Sequence, residues 1–372
     1  MDEIYAIRNP VSQLSPSLVL FRPIIESNLR AMIDLAGSPD RIRPHVKTHK
    51  MAELVRLVER AGVHKHKVAT IAEAEMTAAA GGRDVLIAYP IVGPNIARVA
   101  ALMRTYPDTV FHVLVDDLQA LEALSRGIGG ENPPAPLSVL VDLEIGMGRT
   151  GIAPGPEADA LYRRIDELPH VVPGGLSGYD GQIRDFDPIE RVRSAQPGVD
   201  AVLGMRDRLV AQGLPVPRIV LGGTPTFPVH AANSDPIVEC SPGTSLLHDA
   251  GYASKFPDLP FRPAALLFTR VISRPRPGRI TLDLGHKAVA ADPVGDRLVL
   301  PDIPDARFVG QSEEHLVVET SMADRLPPGT ATLAIPIHVC PTVALHRKAY
   351  VIDGGELVDV WEVSARDRVI GI

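Results

Sequence analysis

Arg43 to Lys50 reads RPHVKTHK, two histidines and two lysines around a proline and a β-branched valine. A surface helix does not take that proline and valine, and a phosphate-binding basic patch carries more arginine. Read as a strand end, period two puts His45, Lys47 and His49 on one face. A lysine held there loses hydration beside imidazoles. Both effects lower its pKa and free its amine to attack a carbonyl. The chemistry is that of a Schiff-base lysine, with His45 and His49 as acid–base partners; the competing reading is a solvated loop lysine.

Two glycine turns point the same way. Leu221–Thr226 is LGGTPT and Ser241–Ser245 is SPGTS. Gly223 and Gly243 free backbone N–H groups, and Thr224 and Thr244 add hydroxyls, as a phosphate cup requires. A lysine plus a phosphate cup, without a nucleotide motif, suggests pyridoxal 5′-phosphate (PLP). A third motif is HVC within IPIHVCPTVAL, Ile335 to Leu345. Read as a strand, it puts His338 and Cys340 on one face. Imidazole and thiolate so placed suit Zn²⁺ or a similar divalent ion, with positions left for water and substrate as in a catalytic site. Taken blind, the same pair reads as core packing.

These motifs need a scaffold. Short β-branched runs at 42–47, 67–70, 85–89, 110–115, 137–143, 175–179, 218–221 and 237–240 alternate with helical segments at 51–60, 72–80, 95–105, 118–126, 157–167 and 188–212. An extra helix at 24–35 precedes them, and the seventh connection, 230–236, is short enough to be a turn. Eight strand–helix repeats predict a (β/α)8 TIM barrel over residues 17–255. The active site of such a barrel lies at the C-terminal strand ends, where Lys47, Arg149, Tyr179 and the two glycine turns fall. No GxGxxG follows an early strand, which removes the support for a dinucleotide fold. From about residue 256 the chain is proline-rich, with strand-like runs at 264–272, 279–283, 298–300, 315–319, 331–335 and 349–352. That predicts an all-β domain over 256–372, joined by residues 1–16.

Bulk properties limit the partners. The 372 residues are 45% hydrophobic and 22% charged, enough for a large core. A net charge of −7 argues against nucleic acid and anionic membranes as partners. Two cysteines, Cys240 and Cys340, and an acidic amino terminus predict a reduced, cytoplasmic setting.

The motifs together resemble the metal-activated, PLP-dependent D-threonine aldolase and D-serine dehydratase family, on the alanine-racemase-like fold. RPHVKTHK resembles its cofactor-lysine motif, IGMGRTG (145–151) its arginine turn, GGTPT and ECSPGT its phosphate turns, and HVCPTVAL its metal motif. The resemblance implies that Lys47 holds PLP, that Arg149 and Tyr179 stand near it, and that His338 and Cys340 bind Zn or Mn. It implies a homodimeric lyase that cleaves a D-β-hydroxy amino acid to glycine and an aldehyde. The alternatives are D-serine or D-threo-3-hydroxyaspartate dehydratase, an amino-acid racemase, or a non-enzymatic PLP-binding protein. The chain departs from the family at Ser241 and Ser245, where arginine and tyrosine are frequent, and at Gln182, near which a histidine is frequent. His315 and Lys287 are weaker candidates, near where related folds close the site across a dimer. His64 and His66 read as surface residues, His112 as a core strand residue and Trp361 as packing.

Overall fold

A computed structural model describes residues 2–10 and 12–372. It divides into two compact units, one of residues 32–47, 51–243 and 367–372, the other of the remaining described residues up to 366.

In chain order the elements begin with β1 (Ser17–Phe21), α1 (Arg22–Ala36), α2 (Ala52–Arg60), β2 (Lys65–Val68), α3 (Ile71–Ala79), β3 (Asp84–Pro90), α4 (Asn95–Thr105) and β4 (Val110–Val115). They continue with α5 (Leu118–Gly130), β5 (Leu137–Leu143), α6 (Pro156–Glu167), β6 (Val171–Gly178), α7 (Pro188–Ala211), β7 (Ile219–Leu221), α8 (Phe227–Ala231) and β8 (Val238–Cys240). β2 to β8 form one seven-stranded sheet in sequence order, every pair parallel. Their central residues are fully buried, as strands covered on both faces must be.

Residues 42–45 join the two edges of this sheet. Ile42 bridges Cys240 on β8 and His45 bridges Lys67 on β2, both parallel. Three backbone bonds fix the stave: Arg43 N–H to Cys240 O (2.8 Å), His45 N–H to Pro242 O (2.9 Å) and Lys67 N–H to Pro44 O (3.0 Å). The sheet is thus closed into an eight-stave barrel. Side-chain caps start its helices: Thr70 accepts from Glu73 N–H, Asp117 from Ala120 N–H and Asp187 from Ile189 N–H.

Inside, Leu86, Leu114, Leu140 and Val220 pack together from four strands. One pleat earlier on the same faces stand Asp84, His112 and Arg218. Arg43, fully buried, donates to Glu239 and to Asp84, each at 2.6 Å. Asp84 also lies 3.0 Å from His112 Nε2, and Lys65 pairs with Glu239 at 2.8 Å. One end of the lumen is therefore plugged by charge.

The second unit holds α9 (Ala250–Lys255), β9 (Ala265–Arg276), β10 (Arg279–Leu282), β11 (Leu298–Val299), β12 (Arg307–Gln311), β13 (Leu316–Glu319), β14 (Ala331–Pro336), α10 (Val339–Leu345), β15 (Lys348–Asp353) and β16 (Glu356–Glu362). Its sheet runs β12-β13-β10-β9-β1-β15-β16, with β14 on β9 and β11 on β14. β1 pairs antiparallel with β9 and parallel with β15.

Several expectations are corrected. The boundaries 17–255 and 256–372 shift, because residues 17–31 and 244–255 cluster with the second unit and 367–372 with the barrel. The strand expected over 42–47 ends at His45, where a 3₁₀ turn, Val46–Thr48, begins. The second unit is not all-β: α9 and α10 belong to it. His66 is buried at 1% exposure, on the pleat opposite to Lys67, with Nε2 2.7 Å from Glu59. His112 and Trp361 are buried as expected, and His64 is exposed. Among the described residues, no helix is long and apolar enough to cross a membrane.

Candidate active site

The first stave ends at His45, so Lys47 follows it in the turn rather than alternating along a strand. His45, 9% exposed, accepts the Lys47 N–H on Nδ1 at 3.3 Å. Lys47 Nζ lies 5.9 Å from the centroid of the Tyr179 ring, and the Arg149 guanidinium 5.0 Å from the same centroid. Tyr179 directly follows β6.

Arg149 is carried by a loop that three carboxylates hold. Glu144 accepts from the amides of Gly146 and Gly148, Asp142 from the Thr150 hydroxyl (2.9 Å) and Asp116 from Gly151 N–H (2.8 Å). Gln182 donates to Ile145 O at 3.0 Å.

The glycine turns come to the same place. Gly222 has φ +76°, and a Cβ on Gly223 would come within 3.1 Å of the Tyr179 ring. Gly223 N–H donates to Thr226 Oγ1 at 3.3 Å, and Gly243 N–H to Thr224 Oγ1 at 3.2 Å. Behind the first turn lies a buried network that the motifs did not reveal. Asp180 accepts from Thr226 Oγ1 and bonds His230 Nε2, both at 2.7 Å. A further group unseen in the motifs is Lys67, 4% exposed on β2. Burial first, then the Lys47 charge, lower its pKa to about 8 against the opposing pull of Asp142. Strand parity with Lys65 was the available signal.

An amine, a guanidinium and two glycine turns around one aromatic ring fit PLP. Lys47 could supply the amine for its carbonyl, Tyr179 a ring face, and the turns at Gly223, Thr224 and Gly243 donors for its phosphate. The turn continues into the second unit, where Thr244 and Ser245 open a 3₁₀ turn and the Ser245 hydroxyl is buried without a partner among the described residues. His49, 4% exposed, also lies in the second unit, in the segment 48–50.

In that unit His338 and Cys340 meet, but not on a strand as expected. His338 is the extended N-cap of α10 and Cys340 its second residue, which brings together side chains that an α-helix would splay. Hydrogen bonds that the His338 ring donates to Cys340 and to Asp292, whose carboxylate lies 2.5 Å from Nδ1, outweigh burial and raise the His338 pKa to about 9. The Cys340 thiol donates to Thr48 Oγ1 at 3.3 Å and lies 3.7 Å from Thr244 Oγ1. Imidazole and thiol in contact suit a divalent transition ion. Among the described residues, however, no group of three or more His, Cys, Asp or Glu is arranged to hold one. Lys287 is not part of this cluster: it is exposed and pairs with Glu313 and Glu314. His315 is likewise exposed, in the adjoining turn.

Known proteins match along the whole chain. Residues 23–250 match the family model for the alanine racemase N-terminal domain, and residues 264–352 the model described as "Putative serine dehydratase domain". The chain is 30% identical over 357 residues to the D-threonine aldolase of Arthrobacter sp, covering 95% of this chain and 92% of that one. It is 25% identical to the D-threo-3-hydroxyaspartate dehydratase of Delftia sp., over 94% and 96% of the two chains. The crystal structure of D-threonine aldolase from Filomicrobium marinum superposes with a TM-score of 0.89 at 29% identity, covering 97% of each chain.

Proposed function

This chain belongs to the alanine-racemase-like family that includes the D-threonine aldolases, and on that premise we propose that it cleaves D-β-hydroxy amino acids to glycine and an aldehyde. The enzyme is a PLP-dependent lyase of the D-threonine aldolase type. The observation that carries the site assignment is the convergence of Lys47 and Arg149 on Tyr179, with Gly223 packed against the same ring.

When bound, PLP supplies an electron sink for charge that develops at the substrate Cα. Lys47 would give the amine that tethers it. Tyr179 holds a ring face against the site, and Arg149 carries positive charge beside it. The amides of Gly223 and Gly243, with Thr224 and Thr244, are the phosphate donors. His45, which holds the Lys47 backbone, and His49 are the proposed proton carriers. His338 and Cys340 would hold a divalent ion, zinc or manganese, which would supply Lewis acidity for the β-hydroxyl.

The balance of the reaction is simple. The β-hydroxyl loses its proton, the Cα–Cβ bond breaks, the aldehyde leaves, and Cα takes a proton to give glycine. Identity to the aldolase over nearly the whole chain, above that to the dehydratase, supports cleavage over dehydration. The dehydratase is the second reading, supported by the 25% identity to the D-threo-3-hydroxyaspartate dehydratase over nearly the whole chain. Lys47 would then take the Cα proton as hydroxide leaves.

The deciding assay supplies PLP and Zn²⁺ or Mn²⁺ and offers D-threonine, D-phenylserine and D-serine. Glycine and aldehyde in equal amounts support the aldolase. Ammonia and a keto acid without glycine would sink it. The homodimer belongs to the same proposal, and light scattering on the eluting protein measures it.

A further inference from the structure

We infer that Lys67 is a positioning residue, a second cation in the barrel that acts on the protonation of Lys47 Nζ. The inference rests on Lys47 holding the cofactor.

Lys67 stands on β2 one pleat beyond Lys65, 4% exposed, with its backbone bonded to the stave that leads into Lys47. The contrast with nearby cations is informative. Arg43 donates to two carboxylates, and Lys65 pairs with Glu239 and donates to Asp40 O. Those are cations of the structural plug, each paired directly with a carboxylate. The Lys67 ammonium makes no hydrogen bond or ion pair with any described residue. Its charged neighbours are Lys47 and Arg43 from the first stave, Asp142 from β5 and Asp180 after β6. Asp116 and Arg149 act in turn on Asp142. His45 and Tyr179 also stand beside Lys47. Asp142 is already engaged by Thr150, and Asp180 by Thr226 and His230. Neither carboxylate is committed to Lys67.

A buried cation left without a dedicated partner is not explained by stability. It is explained by what it does to its neighbour. Coulomb interaction is reciprocal. If the Lys47 charge destabilises that of Lys67, Lys67 destabilises that of Lys47 equally. A proton on Lys67 therefore drives the proton off Lys47 Nζ, and a neutral amine is the form that attacks a carbonyl or accepts a proton.

The test uses the PLP-loaded full chain. Borohydride reduction and peptide mass spectrometry locate the tethered lysine, and spectrophotometric titration gives the pH midpoint of the visible absorbance. Label on a lysine other than Lys47 overturns the site assignment and the inference together. With Lys47 labelled, Lys67→Met should raise the midpoint by about one pH unit. Lys67→Arg, which keeps a positive charge at every accessible pH, should leave it at or below the wild-type value. Lys67→Gln serves as the neutral variant if the methionine protein does not fold. Coincident midpoints for wild type and the neutral variant, or a lowered midpoint in the latter, overturn the inference while the assignment of Lys47 stands.

Discussion

His230 Nε2 lies 2.7 Å from Asp180 Oδ2, and both side chains are almost wholly buried behind the glycine turn at residues 222–224. The same imidazole fills the space that a side chain on Gly222 would need: a Cβ there would lie 2.3 Å from its Cδ2. A carboxylate thus fixes a ring, and the ring fixes which residue the turn accepts.

Gly222→Ala should therefore destabilise the protein by about 1–3 kcal/mol, from a positive φ and the clash together. His230→Ala leaves the buried Asp180 short of a partner and should cost a similar ~1–3 kcal/mol. The double variant relieves the clash, so its loss should be smaller than the sum of the two. Urea unfolding of the four proteins measures this; strict additivity would show that the ring and the turn do not meet.

Tyr179 has two cations near its ring. Tyr179→Ala should weaken PLP binding by about tenfold, the factor that corresponds to ~1.4 kcal/mol of cation–π and packing contact. Tyr179→Phe keeps the ring and should stay within about threefold of wild type. Absorbance titration with PLP gives both constants, and equal losses would shift the role from the ring to the hydroxyl.

His338 and Cys340 offer a metal two ligands, where structural zinc takes four. Chelation should abolish turnover, leave PLP absorbance in place, and move the melting temperature by no more than about 2 °C. Added Zn²⁺ or Mn²⁺ should restore the rate. Unfolding on chelation would instead mark the ion as part of the fold.

The charged plug sets a lower pH limit. Burial pushes the Asp84 carboxyl up, but His112 and Arg43 outweigh it and hold its pKa well below the ordinary value. Glu239 is lowered too, where Arg43 and Lys65 overcome burial. Burial also lowers the His112 pKa against the opposing pull of Asp84. The signs agree. Each group binds more protons unfolded than folded as the medium acidifies, so each contribution is lost as pH falls. Stability should begin to decline below about pH 6.5 as unfolded histidine takes a proton, and fall steeply below about pH 4 with the carboxylates. Melting temperatures from pH 8 to pH 3 test this, and Arg43→Met should flatten the acidic limb.

Regular repeats were legible in the sequence because each strand and helix carries its own periodicity. Asn95–Thr105, Val110–Val115 and Leu137–Leu143 fall where the pattern puts them. The stave at 42–45 and the turn after it were blurred, because alternation of His45, Lys47 and His49 looks the same whether or not the strand continues. His338 and Cys340 were recognisable as a pair but not as the start of a helix, since apolar residues on both sides resemble a strand. Asp180, Thr226 and His230 lie up to 50 residues apart and meet only through the barrel's closure. Nothing local in the sequence marks such a contact. Lys67 was readable in principle, from parity with the lysine two positions before it, once β2 was known to begin at Lys65.

Asp249, 2% exposed, accepts from Tyr252 N–H at 2.8 Å with one oxygen and from Val339 N–H at 3.0 Å with the other. Val339 is the residue between His338 and Cys340. The consequence concerns chimaeras. A crossover between residues 256 and 330 takes the carboxylate from one parent and the amide from the other. Any residue but proline supplies that amide, so the exchange tolerates almost any donor of the later segment. It does not tolerate a donor of the earlier segment that lacks the aspartate, because a buried N–H is then orphaned between His338 and Cys340. Recombination across this junction is therefore directional.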